Sequence, residues 1–203
     1  MKNLILIVSS LFLFSFGHAE VIPNCLFSNN MVLQRSASVP VWGSAKDGER
    51  VTVSFEGQKV STTTTNGKWM IKLKPLKAGG PYTMTISGEN TITITNILVG
   101  EVWICSGQSN LEWALFKCTG GEEAIANSYN PSLRICNIPH NVQMEPVDYV
   151  NAKWVLAEPT TTKFISGVGY WFMSKLQKEL GVPVGFINVA FGGTVIESWL
   201  GKT

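Results

Sequence analysis

A change of hydrophobic period at Ile97 constrains this chain more than any other feature. Before it, apolar residues recur at alternate positions: Val51, Val53 and Phe55, then Trp69, Ile71 and Leu73, then Tyr82, Met84 and Ile86. Strict alternation buries one face of a strand and leaves the other wet. Glu56-Gly57-Gln58, Asn66-Gly67 and Gly88-Glu89-Asn90 supply turns between these runs, and Asn-Gly suits the positive φ angles of a tight hairpin. Short strands with regular turns over residues 21–97 point to a β-sandwich. From Ile97 to Cys105 the alternation gives way to a largely apolar run, the pattern of a strand buried on both faces.

The second half alternates strand and helix. Helices are expected at about 111–117 and 168–180, and strands at 133–138 and 184–190. Residues 119–130 and 139–162 read as loop or irregular chain. In the longer helix Val168, Trp171, Phe172, Leu176 and Leu180 form the apolar face, and Gly181 with Pro183 ends it. Thr194 and Glu197 have the spacing of a capping box that opens a further helix. This order implies an α/β unit whose parallel strands are joined by crossover helices, with its site at the carboxyl ends of the strands.

Residues 1–19 stand apart. Lys2 precedes an apolar block over 4–16, and Gly17-His18-Ala19 supplies small residues for cleavage after Ala19. This is the pattern of a secretory signal peptide, and the block is shorter than the ~20 residues of a membrane span. The chain is expected to be exported, periplasmic or secreted, with no membrane contact after cleavage. Sixteen Lys and Arg stand against fourteen Asp and Glu, and removal of Lys2 with the signal brings the balance closer still, which argues against a nucleic-acid or anionic-membrane partner. Cys25, Cys105, Cys118 and Cys136 match no zinc spacing, and no metal or cofactor is expected. An oxidising compartment permits disulfides in any of three full pairings, and free thiols are the equal alternative.

Ser109 is the sharpest chemical feature. It leaves a buried strand and opens a helix, so its hydroxyl is exposed at the sheet edge beside free helical N–H groups that can hold an oxyanion. A helix-capping serine is the structural alternative. Gly192 and Gly193, after the strand at 184–190, would let a backbone N–H approach a ligand closely, or would form a plain turn. Glu112 and Glu197 could act as an acid–base pair, although carboxylates are favoured in first helical turns anyway. Trp113 and Trp199 suit a sugar pocket or a core equally.

Together these segments resemble a known family. Gly-Glu-Val-Trp-Ile-Cys-Ser-Gly-Gln-Ser-Asn at 100–110 is similar to the nucleophile block of the sialate O-acetylesterases, carbohydrate esterases of the SGNH-hydrolase superfamily. Residues 164–172, residues 181–188 leading to Gly192-Gly193-Thr194-Val195-Ile196-Glu197-Ser198-Trp199, and the N-terminal Asn30-Met31-Val32-Leu33-Gln34 and Val41-Trp42-Gly43 resemble further family segments. The resemblance implies a β-sandwich over 20–97 followed, over 98–203, by the first part of a flavodoxin-like SGNH-hydrolase domain. It implies removal of acetyl groups from sugar hydroxyls through an acyl-enzyme. Ser109 would be the nucleophile, with its own N–H and that of Gly192 or Gly193 as oxyanion donors. Gln108, Asn110 and Trp113 are expected to bind substrate. Leu111 replaces the family's usual Met, a nearly volume-conserving change.

The family's Asp-x-x-His is absent. His140 has Asn137 three residues before it and reads as an exposed loop histidine. The expectation is a truncated, inactive esterase with an open sheet edge, completed by a C-terminal part on this or another polypeptide. The alternative is a non-catalytic carbohydrate-binding protein with a decayed esterase half.

Overall fold

The computed structural model describes residues 20–200, so the expected signal peptide lies outside the described residues. The first half is built from β1 (Ile22–Pro23), β2 (Val32–Gln34), β3 (Val39–Ser44), β4 (Arg50–Phe55), β5 (Gln58–Thr63), β6 (Lys68–Leu73) and β7 (Gly79–Ser87). Strand β8 (Thr91–Gly107) then runs for 17 residues straight across the change of period at Ile97. After it come helix α1 (Ser109–Glu112), a 3₁₀ turn at Leu115–Lys117, α2 (Gly121–Ala126), β9 (Asn130–Asn137), β10 (Trp154–Ala157), α3 (Pro159–Thr162), α4 (Gly167–Leu180), β11 (Val184–Ala190) and a 3₁₀ turn at Ile196–Trp199.

Strands β1, β3 and β6 form a three-stranded antiparallel sheet. The larger sheet runs β10-β9-β11-β8-β7-β4-β5, with β2 also paired to β8. It is mixed. The first half of β8 is antiparallel to β7, and its second half is parallel to β11, which is parallel to β9. The hairpin turns form as their residue types require: Glu56 and Gly57 have φ of 45° and 72°, and Asn66 and Gly67 have 52° and 72°. The alternating apolar residues of β4, β6 and β7 share one buried cluster, with Val51, Trp69, Leu73 and Met84 almost wholly enclosed.

The halves are tied by polar contacts as well. Glu101 on β8 accepts from Arg35 Nε at 2.6 Å and from Gln34 Nε2 at 3.2 Å. The Arg35 hydrogen bond holds the Glu101 carboxyl below the usual carboxylate range against an opposing push from burial. Buried Arg134 on β9 donates to Pro131 O and to Asn96 Oδ1, and burial lowers its pKa. All four cysteines are thiols, and burial first, then Cys25, pushes the Cys136 thiol up to about 12.

Several expected elements differ. Helix 111–117 is a single turn, Ser109–Glu112, followed by the 3₁₀ turn. Residues 119–130 contain α2, and 139–162 contain β10, an antiparallel neighbour of β9, and α3. The longest helix has the expected span, with Ser166 Oγ accepting from Gly169 N–H at 3.0 Å and Gly181 closing it in the left-handed region. Its buried face is not the expected one. Gly167, Gly169, Tyr170 and Met173 are buried and, of the expected face, Leu176 is half-buried against the same core, while Val168 is 57% and Trp171 46% exposed. Gly169 decides this: a Cβ there would overlap the Phe186 ring of β11, so the helix sits down on its small residues and turns its large ones outward.

Gly169→Val is therefore expected to lower the unfolding free energy by about 1–3 kcal/mol through overpacking, read from the urea midpoint. The depressed Glu101 pKa contributes stability that is present above the unfolded carboxylate value of about 4.3 and lost as pH falls through the lower folded value. Urea titrations across that acid range should show this loss in the parent chain and a smaller one in Arg35→Ala.

Candidate active site

The site follows from the parallel register of β8 and β11. Gly107 pairs with Ala190 at the carboxyl ends of both strands. The Phe191 N–H then donates to Gly107 O at 2.9 Å, and each chain leaves the sheet into its own turn. Ser109 comes two residues after β8 and Gly192 two residues after β11. A Cβ built on Gly192 would lie 3.2 Å from Ser109 Oγ and 2.5 Å from Glu112 Oε2, so only glycine leaves room here. Gly193 has φ of 77° and open space around it, the turn position that favours glycine.

Ser109 is exposed at the first position of α1. The Leu111 and Glu112 N–H groups both donate to Gln108 O at 3.0 Å. A helix of one turn has little macrodipole, so the dipole expected to assist Ser109 is small and any oxyanion would be held by individual N–H groups.

Glu112 has a larger place than its position in a first helical turn required. Its Oε2 accepts from Gly192 N–H at 2.7 Å, and its Oε1 lies 3.1 Å from His140 Nε2. His140 Nε2 is also 3.0 Å from Ala190 O, and the ring stacks on Phe191 with centroids 3.8 Å apart and planes 3° apart. Facing two oxygens, Nε2 carries the proton. His140 stays partly exposed, as expected, yet it is no idle loop residue: it clamps Glu112 over the Gly192 N–H. Its position was hidden because a 50-residue separation joins it to Ala190.

The capping pair does not form. The last 3₁₀ turn has no side-chain cap, and Glu197 is exposed. Thr194 Oγ1 instead donates to Phe191 O and accepts from Trp199 Nε1, both at 2.8 Å, and its carbonyl accepts from Gln108 Nε2. Gln108 thus fastens the serine turn to the glycine turn. A cleft of about 510 Å³ opens beside the glycine turn, lined by His140, Val142, Phe191, Thr194, Ser198 and Trp199. Asn110 and Trp113 line a separate hollow with Cys118 and Val168. Among the described residues, no group of three or more His, Cys, Asp or Glu could hold a metal ion.

Comparison with known proteins bears on this arrangement. The family profile for carbohydrate esterases of the sialic acid-specific acetylesterase type matches residues 99–203. The chain belongs to that family. Family membership thus covers the serine turn and the glycine turn together. The chain is 31% identical over 194 residues to the human sialate O-acetylesterase, covering 85% of this chain and 37% of the human protein. It is 30% identical over 195 residues to the rat sialate O-acetylesterase. It also superposes on a crystal structure of a carbohydrate acetylesterase from Xanthomonas citri, with a TM-score of 0.85 and 32% identity, over 89% of this chain and 43% of that one. The chain thus spans well under half the length of these relatives.

Gly192→Ala should expel the Glu112 carboxylate and free His140. Imidazole NMR resonances that move as they do in Glu112→Ala would bear this out, and unchanged resonances would count against it.

Proposed function

We propose that this chain carries the nucleophile half of an O-acetylesterase acting on acetylated sugars or glycans. The observation that supports this reading most is the juxtaposition of Ser109 Oγ with the Gly192 backbone at the ends of two parallel strands. Ser109 Oγ attacks the acetyl carbonyl. The Ser109 and Gly192 N–H groups receive the oxyanion, with Gly193 as the alternative donor. Collapse releases the sugar hydroxyl and leaves an acetyl ester on Ser109, which water then cleaves. In the resting arrangement the Glu112 carboxylate occupies the Gly192 N–H, so the incoming carbonyl oxygen must displace it.

The cleft beside Gly192 fits a sugar. Its volume falls in the ordinary range for small-molecule sites, and Phe191 and Trp199 offer apolar faces next to the hydroxyls of Thr194 and Ser198. Serine attack also needs a base. Among the described residues the one imidazole is His140, and its Nε2 proton is committed to Glu112 and the Ala190 carbonyl. Both the serine attack and the later attack of water therefore lack a free base among the described residues, and an activated aryl ester, which demands least help from a base, is the substrate that reports on Ser109. Export by way of residues 1–19 would place the esterase among extracellular or periplasmic glycans. A non-catalytic sugar-binding role is not favoured, since the named relatives and the solved neighbour are acetylesterases.

The test is exposure of the chain to an aryl acetate followed by intact-mass and peptide analysis. A single acetyl group on the peptide containing Ser109, absent from Ser109→Ala, is the expected outcome. Equal acetylation of the two proteins would sink the assignment.

A further inference from the structure

A carboxylate that gives up a hydrogen bond when substrate arrives must find another donor. Glu112 is in that position. Among the described residues its carboxylate has two donors, the Gly192 N–H at 2.7 Å from Oε2 and His140 Nε2 at 3.1 Å from Oε1. The second is shared, because the same Nε2 proton also faces Ala190 O at 3.0 Å. A carboxylate offers about four acceptor positions, so two donors leave it with capacity for more. The side chain is 40% exposed, which lets a ligand reach it. Gly192 relates it to the nucleophile. The point that a Cβ would take on Gly192 is 2.5 Å from Glu112 Oε2 and 3.2 Å from Ser109 Oγ, so the two oxygens border one small space. That space adjoins the cleft through His140 and Phe191, which line its wall.

We infer that Glu112 is a specificity-determining residue, accepting a hydrogen bond from the free hydroxyl next to the acetyl ester of the sugar. The inference rests on the esterase reading and narrows its substrate to sugar rings that carry a free hydroxyl beside the acetyl group. When the acetyl carbonyl oxygen takes the Gly192 N–H, Glu112 Oε2 loses its donor. A charged oxygen left without a partner in a closing site is costly. In a pyranose the next hydroxyl stands one ring carbon from the ester. With the carbonyl carbon at Ser109 Oγ, that hydroxyl comes beside the displaced carboxylate. An O–H donated to a carboxylate is charge-assisted, about twice as strong as a neutral pair. His140, flat on Phe191, keeps Oε1 in place while Oε2 exchanges one donor for another. For an ester without a neighbouring hydroxyl, Glu112 is only a competitor for the Gly192 N–H. The same side chain therefore favours the sugar ester and hinders the aryl one, opposite effects that a purely structural carboxylate does not produce.

The test follows acetylation of Ser109 by an aryl acetate over time, by mass, with sugar monoacetates as competitors. The aryl ester carries a deuterated acetyl group, so its label is told from theirs. The competitors are methyl glycosides of xylose, glucose and galactose with one acetyl group beside a free hydroxyl, each paired with the deoxy analogue that lacks this hydroxyl. In the parent chain the hydroxylated member of a pair should slow the reaction at ~10-fold lower concentration than its deoxy analogue. In Glu112→Ala that ratio should fall to about one, while the aryl acetate itself reacts ~2- to 10-fold faster. Glu112→Gln keeps a neutral acceptor and should give an intermediate ratio, and it supplies the answer if Glu112→Ala does not fold. A ratio near unity in the parent chain, a ratio that survives both substitutions, or acetylation of Ser109 that no sugar slows would each overturn the role of Glu112 and leave the nucleophile standing. Acetylation that persists unchanged in Ser109→Ala removes the esterase reading, and this inference with it.

Discussion

The parallel pairing of β8 with β11 is the constraint on which the rest depends. Seven consecutive residue pairs, from Val184 with Glu101 to Ala190 with Gly107, set the two strand ends level. Because side chains alternate faces, a slip of one residue would turn Phe186 away from α4 and separate the serine turn from the glycine turn. The register is secured by burial on both sides. Phe186 meets Gly169 on the helical face, while Gly185 lies against Val32 and Trp154 on the other. Only the flat contact at Gly169 lets the helix approach closely enough to enclose the Phe186 ring.

Strand β8 also explains why the two halves of the chain behave as one platform. Its first half completes an antiparallel sheet, its second half begins a parallel one, and the change occurs within a single unbroken strand. Arg35 and Gln34 hold Glu101 just past that change, which anchors the end of the antiparallel region. The β region thereby fixes the direction from which Ser109 emerges, although it contributes no residue to the site. Glu112 then links the serine turn to the glycine turn through the Gly192 N–H, and Gln108 links them again through Thr194 O.

Much of this was legible in the sequence. The alternation in β4, β6 and β7, the Asn66-Gly67 hairpin and the span of β11 follow from side-chain period and backbone preference, which act over a few residues. The serine and glycine turns were legible for the same reason, since each is a strand end followed by residues that permit a tight turn. The buried face of α4 was misjudged because hydrophobicity alone ranked Trp171 and Phe172 above Gly169. Close packing against a flat ring selected the glycine instead. Thr194 had the spacing of a cap, but the nearby Phe191 carbonyl and Trp199 indole gave its hydroxyl other partners. The short strand β10 escaped notice because Trp154–Ala157 is too brief to show a period.

The sequence by itself determined the alternating strands of the first half, the change of period at Ile97, and the two turns that bear Ser109 and Gly192. These depend on interactions between near neighbours, which residue types report directly. Only the tertiary structure decided that His140 stacks on Phe191, that Glu112 covers the Gly192 N–H, and that α4 shows Val168, Trp171 and Phe172 to solvent. Each of these joins residues far apart in the chain, and such contacts are chosen by the packing of whole surfaces, where the fit of one glycine against one ring outweighs local hydrophobic preference.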